Sequence, residues 1–205
     1  MKNKKIIITG FEPFGNYQFN PTQDLVQELH NQILGKYVIY GITLPSVYNA
    51  FPLIQCVIEK EHISGIISMG LASRVKGIRF ETMGRNINNS NYADNNGLLL
   101  QNLPIDQTGK EYYKTTVKNN KLKYLCSVNG IPSEISSDAE GFICNDILYR
   151  TAQNIKINKL KVSFCFIHVP WTDDYKSKVE IAPEKITLSK ELIKKALEII
   201  CLNIV

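Results

Sequence analysis

"GIISMG", Gly65–Gly70, decides the fold class. It is a short, continuously apolar run between two glycines. A strand with one wet face alternates apolar and polar residues, whereas a strand covered on both faces reads as an unbroken apolar run. This segment therefore predicts a strand in a sheet with helices on both sides. Upstream, "KKIIITG" (Lys4–Gly10) and "YVIYGITLP" (Tyr37–Pro45) read as two more strands. Between them, "NPTQDLVQELH" reads as a helix: Asn20 is a good N-cap, Pro21 suits the first helical position, and Leu25, Val26 and Leu29 form one apolar face. "SVYNAFPLIQCVIEK" (Ser46–Lys60) reads as a second helix, with Pro52 near its start or kinking it, and with Cys56 packed in the core beside Ile54, Val57 and Ile58.

Downstream the pattern breaks. From Arg79 to about Tyr113 the chain is rich in Asn and has no sustained period, although Glu81 lies on an apparent strand. An irregular stretch of this length inside a compact domain is often functional. Regularity resumes with a helix over 119–129 stopped by Gly130, a short strand at "SEISS", a helix over 142–155, the strand "LKVSFCFIHVP" ending at Pro170, and a final helix over 188–205. Strands alternating with helices predict one α/β domain over residues 1–205, a three-layer α/β/α sandwich around a mainly parallel, mixed sheet.

Composition narrows the function classes. The 205 residues are 44% hydrophobic and 21% charged, which argues against disorder and coiled coil. The net charge of +5 is scattered, without a basic stripe interleaved with aromatics, so nucleic acid is not an expected partner. The alternation alone is compatible with a nucleotide-binding module, but no phosphate loop is present. No stretch approaches the ~20 apolar residues of a membrane helix, and the isoleucines after "MKNKK" are too few for an export signal. Cys56, Cys126, Cys144, Cys165 and Cys201 are odd in number, widely spaced and free of C-x-x-C pairs, which argues against a disulfide framework or a zinc site. The expected compartment is a reducing cytoplasm. No metal or cofactor is called for.

Ligands of such folds bind beyond the carboxyl ends of strands. Three features stand there: "TGFEPFG" after the first strand, Cys144 after the SEISS segment, and His168 at the end of the last strong strand. Cys144 shares a helical stripe with Leu148 and Ala152, which suits a core residue. It also stands in the first turn of its helix, where free N–H groups and the dipole favour a thiolate. Both readings stand on periodicity alone. His168, at the mouth of an apolar strand, is either a buried histidine bonded to backbone or a general base for Cys144. Cys165 and Cys201 lie among apolar neighbours and read as core. Glu81, Asp94, Asp138, Asp173 and Asp174 are all candidates to orient the imidazole, and spacing does not choose among them. In "GFEPFGNYQFNP", Phe11 and Phe14 either cover the core or form a flat-sided pocket for a small ring. Glu12 between them is solvated or ties the loop down.

"TGFEPFGNYQFNP", "GLASRVKGIRFETMGRN", "AEGFICND" and "FIHVPW", in this order, resemble the pyrrolidone-carboxylate peptidases, or type I pyroglutamyl peptidases, over nearly the whole chain. The resemblance implies a cytosolic cysteine peptidase that removes an N-terminal pyroglutamyl residue from peptides. It implies Glu81, Cys144 and His168 as catalytic residues, Phe11 and Phe14 as a clamp on the lactam ring, and Phe142 and Ile143 as lining of the same pocket. Pyroglutamyl-capped peptides are the implied partners, and a dimer or tetramer the implied assembly. Three positions depart from the family pattern: Glu140 in a segment that is usually Ala-Gly-Thr-like, Leu71 where glutamine is common, and Asn91 where many bacterial members carry arginine. They motivate an alternative, a divergent member that binds capped peptides with little turnover. An inward-facing Glu140 would raise the pKa of Cys144.

Overall fold

The computed structural model describes residues 4–182 and 185–204. Its chain order begins β1 (Lys4–Phe11), α1 (Pro21–Leu29), β2 (Ile33–Leu34), β3 (Tyr37–Leu44), α2 (Phe51–Lys60) and β4 (Ile63–Leu71). There follow β5 (Ile78–Glu81), β6 (Met83–Arg85), β7 (Tyr112–Lys114), α3 (Asn119–Val128) and β8 (Ser133–Ser136). The chain closes with α4 (Ile143–Ile157), β9 (Ser163–Val169) and α5 (Lys190–Asn203). A seven-stranded sheet runs in the order β2-β3-β1-β4-β9-β5-β8. From β3 to β9 the strands are parallel, β5 is antiparallel to β9, and β2 is antiparallel to β3. The sheet is thus mostly parallel and mixed, with helices on both sides.

The unbroken apolar strands sit where that pattern demands. In β1, Ile6 and Ile8 join one apolar cluster with Leu25, Val26, Ile193 and Leu197, while Ile7 joins another with Ile54, Ile147 and Leu148. Helices α1, α3 and α5 therefore cover one face and α2 and α4 the other. Burying each large aliphatic side chain contributes about 1.5–3 kcal/mol, so covering both faces is the main driving term.

Local signals read well at α1, where the Asn20 side chain accepts the Thr22 N–H at 3.1 Å and Pro21 opens the helix. Elsewhere the structure corrects the sequence. Helix α2 begins at Phe51, not Ser46, with Pro52 in its first turn. Cys56 is exposed rather than core, because it sits two residues from buried Ile54, on the opposite side of the helix. The stretch from Arg79 to Tyr113 is not wholly irregular: it carries β5 at its start, and β6 pairs with β7 in a separate two-stranded sheet. The last helix starts at Lys190, capped by the Ser189 hydroxyl. Its expected last residue, Val205, lies outside the described residues, as does the start of "MKNKK".

Candidate active site

The site forms at the carboxyl ends of β1, β4 and β9. His168 ends the apolar run of β9 and is 6% exposed. Because β5 runs antiparallel to β9, Glu81 lies opposite Phe166, two residues before His168 and on the same face. The Glu81 carboxylate, fully buried, meets His168 Nδ1 at 2.8 Å through Oε1. Its Oε2 has no hydrogen-bond partner among the described residues. Arg79, directly opposite His168, is turned to Glu134 at 2.8 Å, so the neighbouring cation is already engaged.

Gly70 places the third group. It stands beside His168 in the β4–β9 register. A Cβ at Gly70 would lie 2.7 Å from Cys144 Sγ and 3.0 Å from His168 Nε2. The thiol and the imidazole thus flank one point that only a glycine leaves open. Glu81 holds the Nδ1 side of the ring and Cys144 faces the Nε2 side. Burial alone would depress the His168 pKa. The negative charges and hydrogen bonds of Cys144 and Glu81 outweigh it and push the imidazole up to about 10, so it is held protonated.

Cys144 is the second residue of α4, half-buried, with Phe142 as N-cap and no side chain capping the helix. A helix start without a side-chain cap keeps its first N–H groups available. Asn145 anchors this start. Fully buried, it accepts the Arg85 N–H at 2.9 Å and donates to the Arg85 and Ile87 carbonyls at 2.8 Å each. Gly141 closes the same contact: Asn89 donates to its carbonyl at 2.8 Å, and a Cβ there would lie 2.5 Å from the Asn89 oxygen. The Asn-rich stretch is therefore docked against the thiol-bearing helix. Glu140 is exposed and does not turn inward. Its backbone N–H bonds Asp138 Oδ1 at 2.9 Å, and its φ is +63°.

Beside the thiol lies an aromatic wall. The rings of Phe14 and Phe142 are 6.4 Å apart, and Tyr48 meets Phe142 edge-on at 5.7 Å. Phe11 and Ile143 are buried in the apolar cluster against which Phe142 packs. Glu12 ties the loop down: its Oε1 accepts the Ser46 N–H and Asn95 Nδ2, both at 3.0 Å. Of the other candidate carboxylates, Asp94 accepts the Tyr48 N–H at 3.0 Å, Asp138 pairs with Arg85, and Asp173 pairs with Lys176. Asp174 lies 3.6 Å from Lys190. Leu71 is half-buried at the end of β4, and Asn91 is exposed.

Sequence reading did not single out Gly70, Tyr48 or Asn145. The glycine closing "GIISMG" was a usable signal for Gly70. Nothing local marks Tyr48 or Asn145, whose contacts lie far away in the chain.

Comparison with known proteins decides the family. The pyroglutamyl peptidase family pattern matches residues 4–204. The chain belongs to the pyroglutamyl peptidase family. That family is one of cysteine-type exopeptidases. Pyrrolidone-carboxylate peptidase of Bacillus cereus is 27% identical over 197 residues, spanning 96% of this chain and 90% of the relative. Pyroglutamyl peptidase I of Bacillus amyloliquefaciens superposes with a TM-score of 0.90 at 28% identity, covering 98% of this chain and 96% of the other. A mutant pyrrolidone carboxyl peptidase from Pyrococcus furiosus gives 0.88 at 26%, covering 98% and 97%. The α/β/α arrangement is that of the pyroglutamyl peptidase I structures.

Proposed function

We propose that this peptidase hydrolyses the bond following an N-terminal pyroglutamyl residue, with Cys144 as nucleophile, His168 as acid–base and Glu81 as the group that orients the imidazole. The observation that carries the reading is the placement of His168, with Nδ1 on Glu81 at 2.8 Å and Nε2 against the same point as Cys144 Sγ. The thiolate attacks the pyroglutamyl carbonyl carbon, and the oxyanion is received by free N–H groups at the start of α4, that of Cys144 included. His168 gives its proton to the departing amine as the C–N bond breaks, leaving a pyroglutamyl thioester on Cys144. Water then attacks the thioester, His168 takes its proton, and the thiolate leaves.

A pyroglutamyl residue has no free α-amine and presents a flat, neutral ring. Phe14 and Phe142 offer it apolar faces, with Phe11 and Ile143 below as the floor. The partners are pyroglutamyl-capped peptides, the working unit is one domain over residues 1–205 that assembles as a dimer or tetramer, and the compartment is the cytoplasm.

The test is cleavage of a fluorogenic pyroglutamyl amide, with iodoacetamide as control. Wild-type protein is expected to release the fluorophore, and Cys144→Ser to abolish release with an unchanged circular dichroism spectrum. Equal activity in the variant would remove Cys144 from its role. Binding of the amide without release would favour the alternative motivated by Leu71 and Asn91, a member that holds capped peptides with little turnover.

A further inference from the structure

A second concave surface lies away from the proposed site. It is a groove of about 800 Å³ between β7 with its flanks and the far half of α4, and Cys144 is at the other end of that helix. Its volume falls within the roughly 300–1,000 Å³ of ligand sites. Ala152 and Ile155 face it at helical spacing, and with Tyr113 they give it an apolar floor. Two lysines stand on each bank: Lys110 and Lys114 on the strand side, Lys156 and Lys159 at the end of the helix. All four are exposed, and none is paired with a carboxylate among the described residues. Among the described residues, the one acidic residue of the lining is Glu111.

We propose that this groove binds an acidic peptide segment anchored by an apolar side chain. The floor suits the anchor. The cations, spread over both banks, suit several carboxylates along an extended chain rather than the single carboxylate of a small amphiphile. A second copy of this chain is a poor occupant, because a two-fold interface centred on the groove would bring two lysine-rich patches together.

The probe is Glu-Leu-Glu-Phe-Glu amide with fluorescein coupled to its N-terminal amine. It carries no pyroglutamyl end and so reads the groove independently of catalysis. Fluorescence anisotropy is expected to show saturable binding, weakened about tenfold or more by added salt and by the double variant Lys114→Glu/Lys156→Glu. A twin probe with Gln for every Glu is expected not to bind, and cleavage of a pyroglutamyl amide by the double variant to be unchanged. Lys110→Glu/Lys159→Glu replaces the first variant if circular dichroism shows that it misfolds. Equal binding of the Gln twin, or binding indifferent to both charge reversals, overturns the proposal. So does poly-uridylate outcompeting the acidic probe, which would make the groove a nucleic-acid surface. Concentration-dependent self-association in sedimentation that the charge reversals abolish would make it a contact between copies and also overturns the proposal.

Discussion

At the scale of single residues, the site depends on what is missing as much as on what is present. The point flanked by Cys144 and His168 is open because residue 70 has no side chain. Gly70→Ala would drive a methyl group to 2.7 Å from the sulfur and 3.0 Å from Nε2. The expected result is loss of most amidase activity with a fold that survives, read as kcat together with a thermal melt. An active Gly70→Ala enzyme would show that thiol and imidazole need not close on that point. Glu140 is a different case. It holds a left-handed backbone, with φ at +63°, that an L-residue with a side chain adopts at a cost of about 1–2 kcal/mol. Glu140→Gly is expected to raise the unfolding free energy by about 0.5–1 kcal/mol in denaturant titration, since relief of strain outweighs the entropy a glycine adds to the unfolded chain. A loss of stability would contradict the strain. By periodicity Glu81 was legible only as a residue on a strand, and the family resemblance is what singled it out. Its contact with His168 spans 87 positions of sequence, and periodicity carries no signal over that range.

Among the elements, α4 joins both readings that periodicity left open for Cys144. The stripe of Ile147, Leu148, Ala152 and Ile155 is buried as its spacing requires, while Cys144 at the helix start is only half-buried. The same helix buries Asp146, which no pattern marked. Burial pushes its carboxyl up, opposed by the Arg150 guanidinium, whose Nε lies 2.9 and 3.1 Å from its two oxygens. Removing one partner strands a buried charge, so Arg150→Ala is expected to destabilise by about 3 kcal/mol in denaturant titration. A change under 1 kcal/mol would show that solvent reaches Asp146 without help. Helix α1 was readable to the residue because Asn20 and Pro21 are local signals. The start of α2 and the pair β6–β7 were not, because Phe51 owes its helical start to packing and a three-residue strand exists only through its partner.

For the molecule as a whole, the buried Glu81–His168 pair beside Cys144 links stability to pH. The imidazole ordinarily titrates near 6.5 and is raised to about 10 in the folded chain. A group raised on folding contributes stability that is complete below its unfolded value and lost as pH climbs to its folded one. Urea midpoints are therefore expected to fall between about pH 6.5 and pH 10, and Glu81→Gln to flatten that fall. A wild-type midpoint that rises over this window would contradict the protonated imidazole. Two-sided burial of the sheet was readable in advance from "GIISMG" and its sister runs. An unbroken apolar strand must be covered on both faces, and alternating helices are the means. The amphipathic stripes and the residue types for thiol chemistry were equally local, and four short motifs carried the family. The resemblance pointed to Glu81, but tertiary structure alone decided that its carboxylate meets the imidazole at Nδ1, that β5 runs backwards to deliver it, that Gly70 leaves the gap, and that Glu140 faces water. The reason is physical. Periodicity and capping report interactions within about one turn of the chain, whereas the site is made of contacts between strand ends whose order in the sheet differs from their order in the sequence.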